Sequence, residues 1–256
     1  MAVILLFTLS GSISSQAVET GLENLVRSNF DLLKGKRIGL ATNPTGVDRW
    51  LRSTVDILFN APDVNLVALY GPEHGVRGEF TAGEHVASEK DPATGLTVWS
   101  LYGKTRKPTP EMLSDVDIIV YDIQDIGSRS YTYISTLGLL MEAAAENGKK
   151  VVVLDRPNPL GGIRMEGALT RPGFFSFVSQ FAIPYLHGLT VGELALLLNG
   201  EGMLADGIKC DLEVVKMTGW TRGMLFEETG LPWVPSSPHV PRSEEHTSEL
   251  QSPNTI

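Results

Sequence analysis

Four short runs along the chain are apolar at almost every position and rich in β-branched residues. They are Arg37-Ile-Gly-Leu-Ala41, Val64-Asn-Leu-Val-Ala-Leu-Tyr70, Val116-Asp-Ile-Ile-Val-Tyr-Asp122 and Lys150-Val-Val-Val-Leu-Asp155. Each ends at a polar residue, a Gly or a Pro. Near-continuous apolar character predicts strands buried on both faces. Between the runs the period lengthens to that of a helix. Ser53 is placed to N-cap a helix over Thr54 to Phe59. From Tyr133 to Glu146, apolar residues fall at Ile134, Leu137, Leu140, Met141 and Ala144, and Asn147-Gly148 predicts the stop. Thr190-Val-Gly-Glu193 has the form of a capping box, opening a helix over Leu194 to Leu198 that Asn199-Gly200 closes. Strands alternating with helices predict right-handed βαβ units and an α/β, Rossmann-like parallel sheet.

In such sheets function gathers in the loops at the carboxyl ends of the strands. Here those loops read Thr42-Asn-Pro-Thr-Gly46, Gly71-Pro-Glu-His-Gly-Val-Arg-Gly78, Asp122-Ile-Gln-Asp-Ile-Gly-Ser-Arg129 and Asp155-Arg-Pro-Asn-Pro-Leu-Gly-Gly162. A purely structural rim needs turn residues, not this density of Glu, His, Asp and Arg. Gly39 and Gly46 do not form a G-x-G-x-x-G fingerprint, and the chain has no P-loop pattern, so neither NAD nor ATP, nor any other cofactor, is expected.

Composition narrows the classes. With 256 residues and 42% hydrophobic content the chain can bury a core, which excludes global disorder. One Cys excludes a disulfide framework and a multi-Cys metal cluster. A formal net charge of −9 argues against nucleic acid or an anionic membrane as partner. It leaves room for an anionic small ligand, because local arginines override the global balance.

Both ends look foreign to the fold. Ala2 to Leu9 is apolar and is followed by small and polar residues through Ala17, which reads as the core and cleavage region of a secretory signal over residues 1–17. The run is too short to span a bilayer as a helix. It lacks a basic start, the first Lys or Arg being Arg27, so a buried N-terminal strand is the alternative. The signal reading places the protein in the periplasm or outside the cell. At the other end, Arg242-Ser-Glu-Glu-His-Thr-Ser-Glu-Leu-Gln-Ser252 resembles an in-frame translation of a common sequencing adapter, and an ordinary acidic tail is the alternative. The adapter reading makes 242–256 non-native, including His246, and leaves 18–241 as one Rossmann-like domain.

The rim residues carry the candidate chemistry, each with a plainer reading beside it. Glu73 and His74 sit between Pro and Gly with Arg77 nearby, where flanking glycines let a ligand approach the backbone; the plain reading is a turn with a solvated Glu. Asn43 lies in the first loop. Asp122 and Asp125 serve as turn caps or as site carboxylates, and Arg129 pairs with one of them or binds a substrate carboxylate. Tyr131 and Tyr133 stack on a sugar or pack a helix start. Asp155 is placed for catalysis, for orienting another group, or for anchoring its loop. Arg156 and Asn158 follow it, held extended by Pro157 and Pro159. Glu166, beside Arg164, is a catalytic carboxylate or a solvated loop residue. His187 lines the cleft or satisfies a core hydrogen bond. His85 and His239 lack ligand-spaced partners and no H-E-x-x-H or C-x-x-C occurs, so no metal is expected. Cys210 reads as a small buried hydrophobe, and Glu142 and Glu146 as a solvated helix face.

Taken together, Thr42-Asn-Pro-Thr-Gly46, Gly71 to Gly78, Asp122-Ile-Gln-Asp125, Tyr131-Thr-Tyr133, Leu154-Asp-Arg-Pro-Asn-Pro159 with Gly161-Gly162, and Leu231-Pro-Trp-Val-Pro235 resemble the DUF1343 family of exo-β-N-acetylmuramidases, the NamZ group. The resemblance runs from about Leu22 to Pro241, with Ser237-Pro-His239 departing slightly from the usual wording. It implies a glycosidase that releases terminal non-reducing N-acetylmuramic acid from peptidoglycan fragments in cell-wall turnover and recycling. It implies a Rossmann-like catalytic domain followed by a smaller C-terminal domain that completes the cleft. That second domain is expected to be missing here, leaving an apolar interface exposed, the cleft half built and the chain weakly active or inactive. Within this reading Glu73 is the first candidate for a catalytic carboxylate, with Glu166 or Asp155 as partner and Asp122 and Asp125 behind them. Arg77, Arg129 or Arg156 is expected to meet the lactyl carboxylate of the sugar. The competing reading is a non-catalytic muropeptide- or sugar-binding protein of the envelope. An esterase or amidase is a third, against which stands the absence of a G-x-S-x-G elbow.

Overall fold

All four apolar runs are strands, and three further strands join them in one seven-stranded sheet. The structure is a computed structural model that describes residues 17–78, 89–237, 240 and 242–243. Most of the leader and tail, with His85, His239 and His246, lies outside the described residues. In chain order the elements are α1 (Gly21–Arg27), β1 (Arg37–Thr42), α2 (Thr54–Asn60), β2 (Asn65–Gly71), β3 (Glu89–Lys90) and β4 (Thr97–Ser100). They continue with β5 (Ile118–Asp122), α3 (Tyr133–Glu146), β6 (Lys150–Leu154), α4 (Val191–Gly200) and β7 (Asp211–Val215).

The sheet order is β3-β4-β2-β1-β5-β6-β7, parallel throughout except that β3 runs antiparallel to β4. Strand pleating sends alternate side chains to opposite faces. Ile118, Val120, Val152 and Leu154 therefore pack with Leu22, Leu25, Val55 and Leu58 of α1 and α2. Ile119, Tyr121, Val151 and Val153 pack with Ile134, Leu137, Leu140 and Leu194 of α3 and α4. Both faces are covered, which is why β5 and β6 carry almost no polar residues. Each large aliphatic side chain so buried contributes on the order of 1.5–3 kcal/mol against its exposed state.

The helix ends follow the expected local chemistry. The Ser53 hydroxyl accepts from Asp56 N–H, and the capping boxes of Thr20 with Glu23 and Thr190 with Glu193 close the first turns of α1 and α4. Helix α3 ends at Asn147, with Gly148 at φ 61°. Helix α4 is wider than the expected Leu194 to Leu198. It opens at Val191, directly after its cap, and runs on to Gly200, with the left-handed Gly202 two residues beyond. One surface expectation needs correction. Glu142 is not on a solvated face: it is buried, accepting from Ala205 N–H at 2.9 Å and facing Lys107 at 3.4 Å. Cys210 is buried, and burial pushes its thiol up to about 12. Among the described residues no helix is long and apolar enough to cross a membrane.

Candidate functional site

Strand β1 sits at the centre of the sheet. Its connection through α2 leads outward to β2, whereas that of its other neighbour β5, through α3, leads to β6 on the opposite side. A crevice forms beyond the carboxyl ends of strands at such a reversal. Thr42 pairs with Asp122 in register, so the two strands end level, and Thr42 Oγ1 donates to the Asp122 carbonyl at 2.7 Å. Gly46 packs so closely that a β-carbon there would lie 2.1 Å from Thr42 Oγ1.

The loops above these strands are stitched into one piece. Asn43 Oδ1 accepts from Thr45 N–H at 3.0 Å and from its hydroxyl at 2.6 Å. Thr45 Oγ1 accepts from Gln124 N–H at 2.8 Å, and Gln124 Nε2 donates to the carbonyls of Asp125 and Pro157 at 2.7 Å each. Asn158 spans the next gap, donating to the Leu189 carbonyl and accepting from Leu160 N–H. Gly127, at φ 79°, lies against it; a β-carbon would meet Asn158 Oδ1 at 2.4 Å.

Glu73 stands on a tight turn. The Pro72 carbonyl accepts from Gly75 N–H at 3.0 Å, and His74, at φ 73°, holds the position that a type II turn normally gives to Gly. A non-glycine residue held there stores backbone strain of order 1–3 kcal/mol, a feature concentrated at functional sites. Glu73 is half-buried, and its carboxylate raises the Tyr102 phenol above its ordinary value.

Beside it, Tyr131 and Tyr133 pack edge to face with centroids 4.9 Å apart. The Tyr133 hydroxyl donates to the Ser236 carbonyl at 2.8 Å and lies against Asn43, and the Tyr131 hydroxyl donates to Ser236 Oγ at 3.0 Å. Burial pushes the Tyr131 phenol up to about 12 and the Tyr133 phenol higher still, so both remain neutral donors. After burial, smaller contributions from the charge of Asp125 on Tyr131 and of Glu73 on Tyr133 act in the same upward direction. Asp125 Oδ2 accepts from Gly127 N–H at 2.8 Å and lies 3.2 Å from Nε2 of the fully buried His187. His187 Nδ1 accepts from Leu189 N–H at 3.2 Å, and its Nε2 is buried with no hydrogen-bond partner among the described residues. Asp125 Oδ1 is buried with no hydrogen-bond partner among the described residues, an acceptor left for water or ligand.

Other candidates stand apart from this cluster. Asp122 and Arg156 are buried in each other, with Thr54 Oγ1 and the Val47 carbonyl as further partners. Arg156 is therefore not open to a ligand carboxylate. Arg77 is clamped between Asp91 and Asp56, its Nε 2.5 Å from Asp91 and its Nη2 2.8 Å from Asp56, which raises it further above the ordinary arginine value. Arg129 donates to the carbonyls of Ala168 and Ile183 and stacks over Tyr185 at 5.5 Å. Asp155 accepts from Gly192 N–H, the Thr190 hydroxyl and Arg156 N–H, tying the end of β6 to the start of α4. Burial outweighs these donors and pushes its carboxyl up to about 6. Glu166 is exposed and paired with Arg164 at 2.5 Å, which holds its carboxyl below the usual range, opposite to what a general acid needs. Among the described residues no group of three or more His, Cys, Asp or Glu could hold a metal ion. The sequence reading had missed Thr45, Gln124, Tyr102 and Ser236. Tyr102 carried a usable signal, because it follows the β-rich Thr97-Val-Trp-Ser100 as the rim loops follow their strands.

The family described as "Exo-beta-N-acetylmuramidase NamZ, N-terminal" matches residues 38–244. The chain is 55% identical over 227 residues to the peptidoglycan beta-N-acetylmuramidase NamZ of Bacillus subtilis, covering 89% of this chain and 54% of the relative. Two crystal structures of DUF1343 family proteins from Bacteroides fragilis superpose on it. One is 63% identical with a TM-score of 0.83, the other 34% identical with a TM-score of 0.74. Each covers 89% of this chain, which spans 57% and 58% of theirs. The chain thus spans about half the length of the relatives it matches.

Proposed function

The chain belongs to the NamZ N-terminal family, and from that membership we propose a glycoside hydrolase that releases terminal non-reducing N-acetylmuramic acid from peptidoglycan fragments. The observation that carries the reading onto this chain is Glu73. It is a half-buried carboxylate, held on a strained turn in the rim loop that follows β2, beside the central strand β1. Hydrolysis of a glycosidic bond needs one group to protonate the leaving oxygen and a second to activate water or attack the anomeric carbon. Glu73 is assigned as the catalytic carboxylate. Asp125, with a buried oxygen that has no hydrogen-bond partner among the described residues, is the better-supported second carboxylate over Glu166 and Asp155, whose groups are committed elsewhere. The part-exposed Tyr131 offers a ring face to the sugar.

The protein is proposed to act in the periplasm or outside the cell, where its substrate lies. The region that extends its relatives is proposed to complete the cleft. Supporting this, the β6–α4 connection rises from the same rim and leaves Ile163, Met165, Leu169, Phe174, Phe175 and Val178 exposed.

The test is Glu73→Gln in a chain extended to the length of the Bacillus subtilis relative. The variant should melt as the parent does and release the chromogenic aglycone of an N-acetylmuramic acid glycoside at least about 100-fold more slowly. Near-parental turnover removes Glu73 from the mechanism. Tight muropeptide binding without product release by the parent supports the binding-protein reading.

A further inference from the structure

The three rim arginines differ in what holds them. Arg77 lies between Asp56 and Asp91, and Arg156 is forked onto Asp122. Arg129 has no carboxylate partner among the described residues. Its Nη1 donates to the carbonyls of Ala168 at 2.7 Å and Ile183 at 2.6 Å, and its guanidinium stacks over the Tyr185 ring at 5.5 Å. Its Nε is buried with no hydrogen-bond partner, and its Nη2 donates to no acceptor among the described residues. Backbone and ring thus aim the side chain, while nothing cancels its charge. Burial lowers the guanidinium from the ordinary arginine value, the reverse of Arg77.

The backbone relates this cation to Asp125. Ser128 and Leu186 form an antiparallel bridge, flanked by Arg129 N–H donating to the Tyr185 carbonyl at 2.8 Å and His187 N–H to the Gly127 carbonyl at 3.4 Å. Paired extended segments send alternate side chains to opposite sides, so Tyr185 and His187 share one side, about 7 Å apart. His187 Nε2 lies 3.2 Å from Asp125 Oδ2. Arg129, across from Tyr185, therefore stands on the same side of the ribbon as Asp125, separated by a span comparable to one pyranose ring. We propose that Arg129 determines the specificity of the site by binding the carboxylate that N-acetylmuramic acid carries on its lactyl ether and N-acetylglucosamine lacks. This rests on the muramidase reading. A guanidinium meets a carboxylate through charge-assisted hydrogen bonds, about twice as strong as neutral ones, so the substituent that distinguishes the two sugars is also the one this residue can hold.

The test is a binding ratio, independent of turnover. N-acetylmuramic acid and its methyl ester are titrated by calorimetry into the extended chain. The parent should bind the acid at least about 10-fold more tightly than the ester. In Arg129→Gln the two should bind within about twofold of each other. Retained ester binding shows that the variant site is folded. If Arg129→Gln has lost both ligands, Arg129→Met, which keeps an apolar stem against Tyr185, reads the same ratio. A parent that binds the acid no better than the ester overturns the assignment. So does an acid preference that survives the loss of Arg129, which would pass the carboxylate to another cation such as the exposed Arg106. A parent that prefers the acid yet releases no sugar from the chromogenic glycoside sinks the glycosidase reading and leaves the Arg129 site standing.

Discussion

Arg156 grips Asp122 with two prongs, Nε 2.5 Å from Oδ1 and Nη2 2.9 Å from Oδ2, with the carboxylate fully buried and the guanidinium 5% exposed. The pair joins the end of β5 to the loop after β6, and the same guanidinium holds the Val47 carbonyl of the loop after β1. It is the underside of the crevice. Breaking a buried pair leaves an uncompensated charge, which costs about 3–5 kcal/mol. Arg156→Met should therefore lower the unfolding free energy by that amount, read as a fall in urea midpoint at unchanged slope. Arg156→Lys should recover little, because one ammonium cannot reproduce the fork. A loss near zero for Arg156→Met would show that the pair is not the anchor described here.

Asp155 gives a pH dependence whose sign is fixed. Its folded carboxyl is pushed up to about 6, chiefly by burial, against an ordinary value near 4 when unfolded. The folded state thus holds the proton more tightly, and this group's contribution to stability is lost as pH rises from about 4 through 6. The difference approaches 2–3 kcal/mol, at about 1.4 kcal/mol per unit. Urea unfolding at pH 4 and pH 7 should show the parent losing stability relative to Asp155→Asn, which keeps one acceptor oxygen for Gly192 N–H but does not titrate. A gap that stays constant, or opens the other way, refutes the raised value.

The central strands were legible because burial on both faces removes polar residues, leaving runs such as Ile118 to Tyr121 and Val151 to Leu154. Strand β7 was not legible, because an edge strand carries Asp211 and Glu213 among its apolar residues, and two-residue β3 has too little length for any period. The rim was readable as a set of polar loops, but not the division of labour within it. Nothing local distinguishes Asp122, which pairs with Arg156, from Asp125, three residues on, which keeps an unfilled acceptor. That difference depends on side chains brought in by other strands. For the same reason Arg77 and Arg156, read as ligand-binding, turned out to be held by carboxylates within the protein.

The segment Leu231 to Ser236 is held across the crevice by the tyrosine pair, through Tyr131 to Ser236 Oγ and Tyr133 to the Ser236 carbonyl. Tyr133→Phe strands a buried carbonyl, which costs about 1–3 kcal/mol, whereas Ser236→Ala removes only the weaker side-chain contact. Hydrogen exchange in a peptide covering 231–236 should accelerate strongly in Tyr133→Phe and only slightly in Ser236→Ala. Equal protection in both variants would mean that other contacts hold the segment.

His74 allows the strain in the Glu73 turn to be separated from the side chain that causes it. At φ 73° a β-carbon crowds the following carbonyl, at about 1–2 kcal/mol, whereas Gly accepts the conformation freely. His74→Ala and His74→Gly both delete the imidazole and differ only in that β-carbon. His74→Gly should therefore be the more stable by about 1 kcal/mol in thermal or urea unfolding. In the extended chain both should lose sugar release to a similar degree, because the imidazole beside Glu73 is what the strain secures. Unfolding tests the turn, and turnover tests the reason for keeping it. Equal stability of the two variants would refute the strain, and full activity in His74→Gly would show that the strained residue serves no purpose at the crevice.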